Sequence, residues 1–501
     1  MFYKRLNRLL SLRNIIIIGT ITLIFTFFKL IYSGDLNSEN SNHPFARVSE
    51  RIQQKPKTME IDWYDDSGHR HEDARPPLSV ARIAKYCNHP RGEPSGEEGL
   101  VPKDYVLLNA HVVIRHGDRS PISKLPDGKH QNISCLTDVT QFAHVPKLYN
   151  YVHVMASVSQ DRSKESPFKM WGMYPAHSVC ADGQLTGLGA IQHVLNGIHF
   201  SERYHYQHKL FNENNWQDKV VAYSTEVSRT YQSAIAFLYG LLPKFEFDNI
   251  NLKRANNINF CEYKFVGTTC FCQGLENVYV RAGQECRAEM GYMSLMKRYK
   301  NLTRHLSDIL GIQEHKLQWP TSLMDGLSSF ACHRAHFPCN ANRICLTSRD
   351  IEAVWEPVDY LSNCLNKSPK YISFAKVSMF GLLKKIVSAF EMAIHNGSGP
   401  SFHLYSGHDT TVSPLIATLG LEDGLWPGYA TRIVFELYSR LSSKDYFFRV
   451  LQNGKVVTSE VVFCKGLTNG GFCNLEHFFK YFGDYTFDQL CHSVLDSIKS
   501  Q

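Results

Sequence analysis

The sequence predicts an α/β fold with helical insertions, set behind an N-terminal membrane-spanning helix. Three observations lead there. Short apolar runs of strand length alternate with longer segments of helical spacing. The chain, 501 residues long, can bury a large core. A separate apolar run near the start, preceded by basic residues, has the length a membrane helix needs.

The strands come first. Tyr105 to Ile114, Val220 to Ser224, Phe402 to Tyr405 and Thr431 to Tyr438 are apolar runs bounded by turn residues. Tyr446 to Leu451 and Lys455 to Val457 flank Asn453-Gly454, the pair that favours a tight hairpin turn. Leu185 to His199, Arg229 to Leu242 and Tyr371 to His395 carry helical spacing. The stretch 245–370 reads as irregular and cysteine-rich.

The N-terminal region differs from the rest. Lys4, Arg5, Arg8 and Arg13 precede an apolar run over 14–32, interrupted by Lys29. The basic flank predicts a cytosolic tail, 1–13, and a single-pass type II orientation. No small-residue cleavage site follows the run, so an uncleaved signal anchor is expected. A span this short suits a thin early-secretory membrane. Residues 33–80 are polar and aperiodic and read as a luminal stem, with the folded domain at 81–501.

All 14 cysteines lie from Cys87 onward, on the expected luminal side, where disulfides are the default. Cys270-Phe271-Cys272 and the set Cys332, Cys339, Cys345 lack the repeated spacing of zinc ligands, and no metal is expected. Asn132, Asn301, Asn366 and Asn396 begin glycosylation sequons. The net charge of +7 is spread out with no long basic block. It gives no argument for nucleic acid and is compatible with an anionic substrate. No internal repeat or low-complexity tract is present.

Three polar clusters follow strands. Arg115-His116-Gly117-Asp118-Arg119-Ser120-Pro121 ends the first, Arg229-Thr230 lies just past the second, and Ser406-Gly407-His408-Asp409-Thr410 ends a late one. Ligands of open α/β sheets bind at the carboxyl ends of strands. Guanidinium groups match phosphate oxygens bidentately and stay charged. A histidine among them suits attack on phosphorus, and Gly117 lets the chain turn beside it.

The septapeptide R-H-G-x-R-x-P with a late His-Asp pair resembles the signature of the histidine acid phosphatases, over roughly residues 80–501. The resemblance implies a phosphoglycerate-mutase-like α/β core with a mostly helical cap, inserted at roughly 245–400. It implies His116 as nucleophile, Asp409 as proton donor, and Arg115, Arg119, Arg229 and His408 around the phosphate, with no cofactor. Within the family, Tyr174 to Gly197, Ser228 to Pro243 and Cys270-Phe271-Cys272 look like the Golgi members that act on 2-phosphorylated xylose in the glycosaminoglycan–protein linkage region. That likeness implies a Golgi membrane location, and a xylose kinase and linkage glycosyltransferases as pathway partners. Two other readings stand beside it. One is a lysosomal- or phytase-like acid phosphatase of other phosphomonoesters. The other is a catalytically silent luminal protein that binds phosphosugars, against which the intact His116 and Asp409 argue.

The mechanism sets two protonation demands. His116 must be neutral, which neighbouring arginines favour. Asp409 must carry a proton at transfer, which a bound phosphate favours. An optimum on the acid side of neutrality follows as an expectation. Asp118 is expected to support the site rather than react. His111 reads as a core histidine, His177 and His193 lack metal spacing, and the histidines at 199, 205 and 208 read as solvated helix surface.

Overall fold

A computed structural model describes residues 78–90, 95–126, 133–160, 167–262, 270–395, 397, 399–421, 424–443, 445–482 and 485–499. All belong to the unit Glu60–Gln501; the other unit, Met1–Met59, lies outside the described residues. The expected tail, the anchor at 14–32, nearly all of the stem, and sequon residues Asn132 and Asn396 also lie outside them. No described helix is long and apolar enough to cross a membrane.

The strands are β1 (Tyr105–Arg115), β2 (Val220–Ser224), β3 (Leu252–Arg254), β4 (Phe402–Gly407), β5 (Arg432–Arg440), β6 (Tyr446–Gln452), β7 (Lys455–Val456) and β8 (Cys473–Asn474). They form one sheet in the order β3-β2-β4-β1-β5-β6-β7, with β8 also on β6. β1 pairs in parallel with β4, placing Arg115 level with Gly407. β4 pairs in parallel with β2, placing Ser406 level with Ser224. The carboxyl ends of β1, β2 and β4 therefore finish on one edge. β5 and β6 run antiparallel, and Asn453 and Gly454 turn from β6 into β7 at φ 50° and 85°, the left-handed backbone such a turn needs.

Nine helices matter for the site: α1 (Leu78–Cys87), α2 (Gly187–Phe200), α3 (Ser228–Leu241), α4 (Leu275–Ala288), α5 (Met290–Leu310), α6 (Pro320–Cys332), α7 (Ser348–Lys367), α8 (Pro369–His395) and α9 (Asp409–Leu419). On one face of the sheet, Phe200 of α2 and Phe237, Leu238 and Leu241 of α3 pack on Val112, Ile114, Ala222 and Leu404. On the other, Phe380, Leu383 and Phe390 of α8 and Leu415 of α9 pack on Val113, Tyr405 and Phe435. Alternation along β1 sends neighbouring valines to opposite faces, so both faces are covered.

The stretch 245–370 is not irregular. It holds α4 to α7; in α5 and α7 the buried residues recur every three or four positions as a narrow stripe, whereas α6 is buried along most of its length. In α5 the buried set is Tyr299, Thr303, Leu306, Ile309 and Leu310, too sparse to stand out among its lysines and arginines. α7 starts from a Thr347–Asp350 capping box. Tyr299, Leu306, Leu323, Leu327, Val354 and Trp355 share a separate core with Tyr86. α8 and β3, both inside the span 245–400 expected for the cap, pack in the sheet layer instead.

The cysteines pair as Cys87–Cys332, Cys135–Cys180, Cys261–Cys270, Cys272–Cys491, Cys286–Cys364, Cys339–Cys345 and Cys464–Cys473. No cysteine is free. Cys87–Cys332 ties α1 to the end of α6 across 245 residues. Closing so long a loop removes unfolded-chain entropy worth about 5 kcal/mol in the chain-entropy account.

His199 and His205 are buried rather than solvated. α2 continues as a π-helical turn, Ser201–Gln207, and the Glu98–Gly99 segment lies against it. Glu98 pairs with Arg432 at 2.6 Å and with His199 at 3.0 Å. Burial pushes the Glu98 carboxyl up, but these partners hold it down at about 2. His111 is a core histidine, bonded to the Tyr405 hydroxyl at 3.1 Å and stacked on His403 at 4.1 Å.

Candidate active site

The level ends of β1, β2 and β4 bring the three polar clusters to one edge of the sheet. His116 is fixed at both backbone atoms: its N–H donates to Gly407 O at 2.9 Å, and its carbonyl accepts from Ala430 N at 3.1 Å. The next residues are held by the helices below. Gly117 N donates to Ser233 Oγ at 3.1 Å and Asp118 N to Gln192 Oε1 at 2.8 Å. His193 Nε2 donates to Arg115 O at 3.1 Å. A Cβ on Gly117 would lie 2.6 Å from Gly189 Cα, so only glycine lets the motif sit this close to α2.

The His116 ring is buried, and its Nδ1 lies 2.8 Å from Gly117 O. A carbonyl only accepts, so Nδ1 carries the proton and Nε2 keeps its lone pair. Burial first, then the charges of Arg115, Arg229 and Arg119, hold this imidazole well below its ordinary pKa. It is neutral across the physiological range.

Arg115 is fully buried. Its Nη1 donates to Pro427 O at 2.5 Å, its Nη2 lies 3.0 Å from Asp409 Oδ2, and its guanidinium faces the Tyr429 ring at 4.6 Å and Tyr86 at 5.3 Å. Both rings add cation–π attraction that helps keep a buried charge. Arg119 Nη1 lies 2.9 Å from Asp325 Oδ1. Arg229, on the first turn of α3, reaches Gly183 O at 3.4 Å and His408 Nδ1 at 3.5 Å. Burial and the nearby Arg119 and Arg115 push Arg229 down to about 10, so it stays charged but repelled, the mark of a site suited to an anion. Among the described residues, Nε of each of these three arginines has no acceptor.

His408 Nε2 lies 2.8 Å from Thr225 Oγ1, and burial with the surrounding arginines brings its ring down to about 4. Asp409 opens α9, where it accepts from Thr410 N at 2.8 Å. Burial pushes its carboxyl up, but Arg115, Arg119 and His408 outweigh that and hold it below the usual carboxylate range. The helix N-terminus favours the same charge. The structure thus brings His116, Arg115, Arg119, Arg229, His408 and Asp409 together. Asp118 points away from them: its carboxylate meets Thr186 Oγ1 at 2.5 Å and His333 Nε2 at 2.9 Å.

Several residues here carry no sequence signal. Tyr86, Asp325 and Tyr429 sit in unrelated segments, and only the folded chain places them beside the motif; Thr225 follows β2 in the short context of Arg229, without a role of its own. Gln192 and His193 lie in a segment marked by its resemblance, without a role. Sequon residues Asn301 is exposed and Asn366 is partly exposed.

Chemically, a neutral imidazole with one free nitrogen, three guanidiniums and a carboxylate beside one of them suits transfer of a phosphoryl group. The sequence comparisons with known families and proteins agree. The Histidine phosphatase superfamily (branch 2) matches residues 106–264 and 366–453. A 2-phosphoxylose phosphatase 1 of Mus musculus is 32% identical over 384 residues, 76% of this chain and 77% of that protein. Its Homo sapiens counterpart is 29% identical over 396 residues, 78% of this chain and 80% of that one. A Bos taurus lysophosphatidic acid phosphatase type 6 is 23% identical across 82% of this chain and 92% of its own length. Among solved structures, the phytase from Citrobacter braakii superposes with a TM-score of 0.48 at 16% identity, covering 78% of this chain and 98% of its own.

Proposed function

This chain belongs to branch 2 of the histidine phosphatase superfamily and is a phosphatase, and from that premise we propose that it removes the phosphate of 2-phosphoxylose in the glycosaminoglycan–protein linkage region. The observation that carries the mechanism is the His116 ring, locked through Nδ1 on Gly117 O with Nε2 free among three arginines. His116 Nε2 forms a bond to phosphorus as the ester P–O bond breaks, and Asp409 passes a proton to the departing sugar oxygen. Water then attacks phosphorus, Asp409 takes back a proton, the N–P bond breaks and phosphate leaves. Arg115, Arg119, Arg229 and His408 hold the phosphoryl oxygens. The substrate rests on the likeness to the 2-phosphoxylose phosphatases of several vertebrates.

The protonation states refine this. Asp409 is ionised in the free site. Its proton therefore arrives with the substrate, whose second ionisation lies near pH 6. Below that pH the ester binds as a monoanion and hands its proton to Asp409; above it the proton is missing. We expect kcat/KM to fall as pH rises above about 6 to 7. A kcat/KM still climbing past about pH 8 would contradict this assignment. Asp409→Asn should cost roughly 10²- to 10⁴-fold on a sugar phosphate. The loss should be far smaller on p-nitrophenyl phosphate, whose leaving group needs little protonation, and equal losses on both would remove Asp409 from the proton-donor role.

The full chain, made in a secretory host, tests the substrate. Phosphate release from a 2-phosphoxylose linkage glycan is compared with release from p-nitrophenyl phosphate and phytate. Preference for the glycan is the expected result; equal or better turnover of the generic esters sinks the xylose assignment and keeps the phosphatase. We propose the same chain as a type II Golgi membrane protein with its catalytic domain in the lumen. The basic flank and apolar run at 14–32 and the use of every cysteine in disulfides support this reading. Glycosidase should leave the mass unchanged in intact vesicles and reduce it after membrane lysis.

A further inference from the structure

We propose that Asp325, carried on the inserted helix α6, is a positioning residue for catalysis, fixing Arg119 and the lip of the site with one carboxylate; this rests on the phosphatase reading above. Both of its oxygens are engaged. Oδ1 lies 2.9 Å from Arg119 Nη1, while Oδ2 accepts from Ile122 N at 2.7 Å and Ser123 N at 2.9 Å. The residue is 9% exposed, so these charge-assisted contacts are poorly screened.

The two oxygens govern two parts of the site. On one side is a guanidinium of the phosphate cage. On the other is the turn carrying Ile122, 53% exposed, whose side chain stands against Gly183. The Gly183 carbonyl in turn receives Arg229. Arg119 and the Ile122 lip are thereby set from one point, and that point belongs to the insertion.

α6 is a firm base for this. Pro320 starts it, Ser328 Oγ accepts from Trp355 Nε1 at 3.1 Å, and Cys332 is joined to Cys87. One residue beyond its end, His333 meets Asp118 at 2.9 Å. The helix therefore grips the septapeptide at two consecutive residues, Asp118 and Arg119. Arg119 without Asp325 would keep one hydrogen bond, to the Ser120 carbonyl at 2.9 Å, beside the like charges of Arg115 and Arg229. Cage donors accelerate phosphoryl transfer only when already aimed at where charge develops.

The test is Asp325→Asn in the full chain, with thermal unfolding run beside kinetics on p-nitrophenyl phosphate. The expected result is a folded protein whose kcat/KM falls about 10- to 100-fold, the scale of a displaced catalytic group. The asparagine keeps one oxygen for the Ile122 and Ser123 N–H groups, so the loss runs through the guanidinium and should shrink to under about threefold in an Arg119→Ala background. Asp325→Glu, which keeps the charge but moves the carboxylate, should recover part of the loss; if the asparagine variant unfolds, Asp325→Ser beside it supplies the loss of charge. A folded Asp325→Asn with kcat/KM near the wild-type value overturns the proposal. So does an equal loss in both backgrounds, the pattern of a merely structural role. A wild-type protein that releases no phosphate would overturn this proposal and the phosphatase mechanism together, whereas an active wild type with an indifferent Asp325 overturns this one alone.

Discussion

Replacing His116 with Ala is expected to lower kcat by on the order of 10⁴-fold or more while leaving the fold in place. No other described side chain offers a free, neutral nitrogen in the cluster: His408 is engaged by Thr225 and Arg229. The backbone bonds that shape the motif, His116 N to Gly407 O and Ala430 N to His116 O, do not need the ring. Arg115, Arg119 and Arg229 keep their anchors on Pro427, Asp325 and Gly183. The variant should therefore still bind inorganic phosphate, and a phosphoenzyme trapped from the wild type by alkaline quench should be absent from it. Retention of full turnover by the folded variant would remove His116 as nucleophile and the covalent intermediate with it.

The second large effect concerns stability in acid. His111, His193 and His403 are buried in the neutral form, chiefly by desolvation. His193 and His403 are brought down to about 3. A histidine whose folded pKa lies below its unfolded value binds its proton only in the unfolded chain. Its contribution is fully present above about pH 6.5 and is lost as pH falls from there toward the folded value. At pH 5 His193 and His403 each cost about 2 kcal/mol, about 4 kcal/mol together, and His111 adds to the same loss. His116 and His408 add to the same slope until substrate binds. His333 works the other way: burial lowers its pKa but Asp118 more than reverses this, so its stabilisation is present below pH 6.5 and lost as pH rises through its raised value. A second decline belongs to Glu98, Asp118 and Asp409, whose depressed values keep their contribution above the ordinary carboxylate pKa and release it below.

The unfolding midpoint should therefore drop by about five degrees between pH 7.5 and pH 5. A flat profile over that range would contradict the buried neutral histidines. His403→Gln, which removes one proton from the difference, should flatten the slope. Activity that rises toward acid and a fold that weakens there leave a narrow working window just below neutrality.

The strands and the three clusters were legible because they are local. β1, β2 and β4 are short apolar runs ended by Gly, Thr or Pro, and their polar residues follow at once. Arg229 had only a short context, yet helix α3 begins one residue before it. The inserted helices were expected as a class, but their places within 245–370 were not legible, because a stripe as thin as that of α5 is swamped by its charged face. His199 and His205 failed for a different reason: helical spacing says which residues share a face, not whether another segment covers it. The Glu98 segment covers His199, and Phe211 covers His205.

By itself the sequence determined the α/β class, the residue types at the strand ends and the abundance of cysteine for cross-linking. These depend on neighbours in the chain. Tertiary structure decided which nitrogen of His116 is free, that Asp409 rests ionised, how the cysteines pair, and that Asp325 reaches Arg119 from the insertion. Each of these turns on burial and on charges a few ångströms away in space, which residue spacing along the chain does not encode.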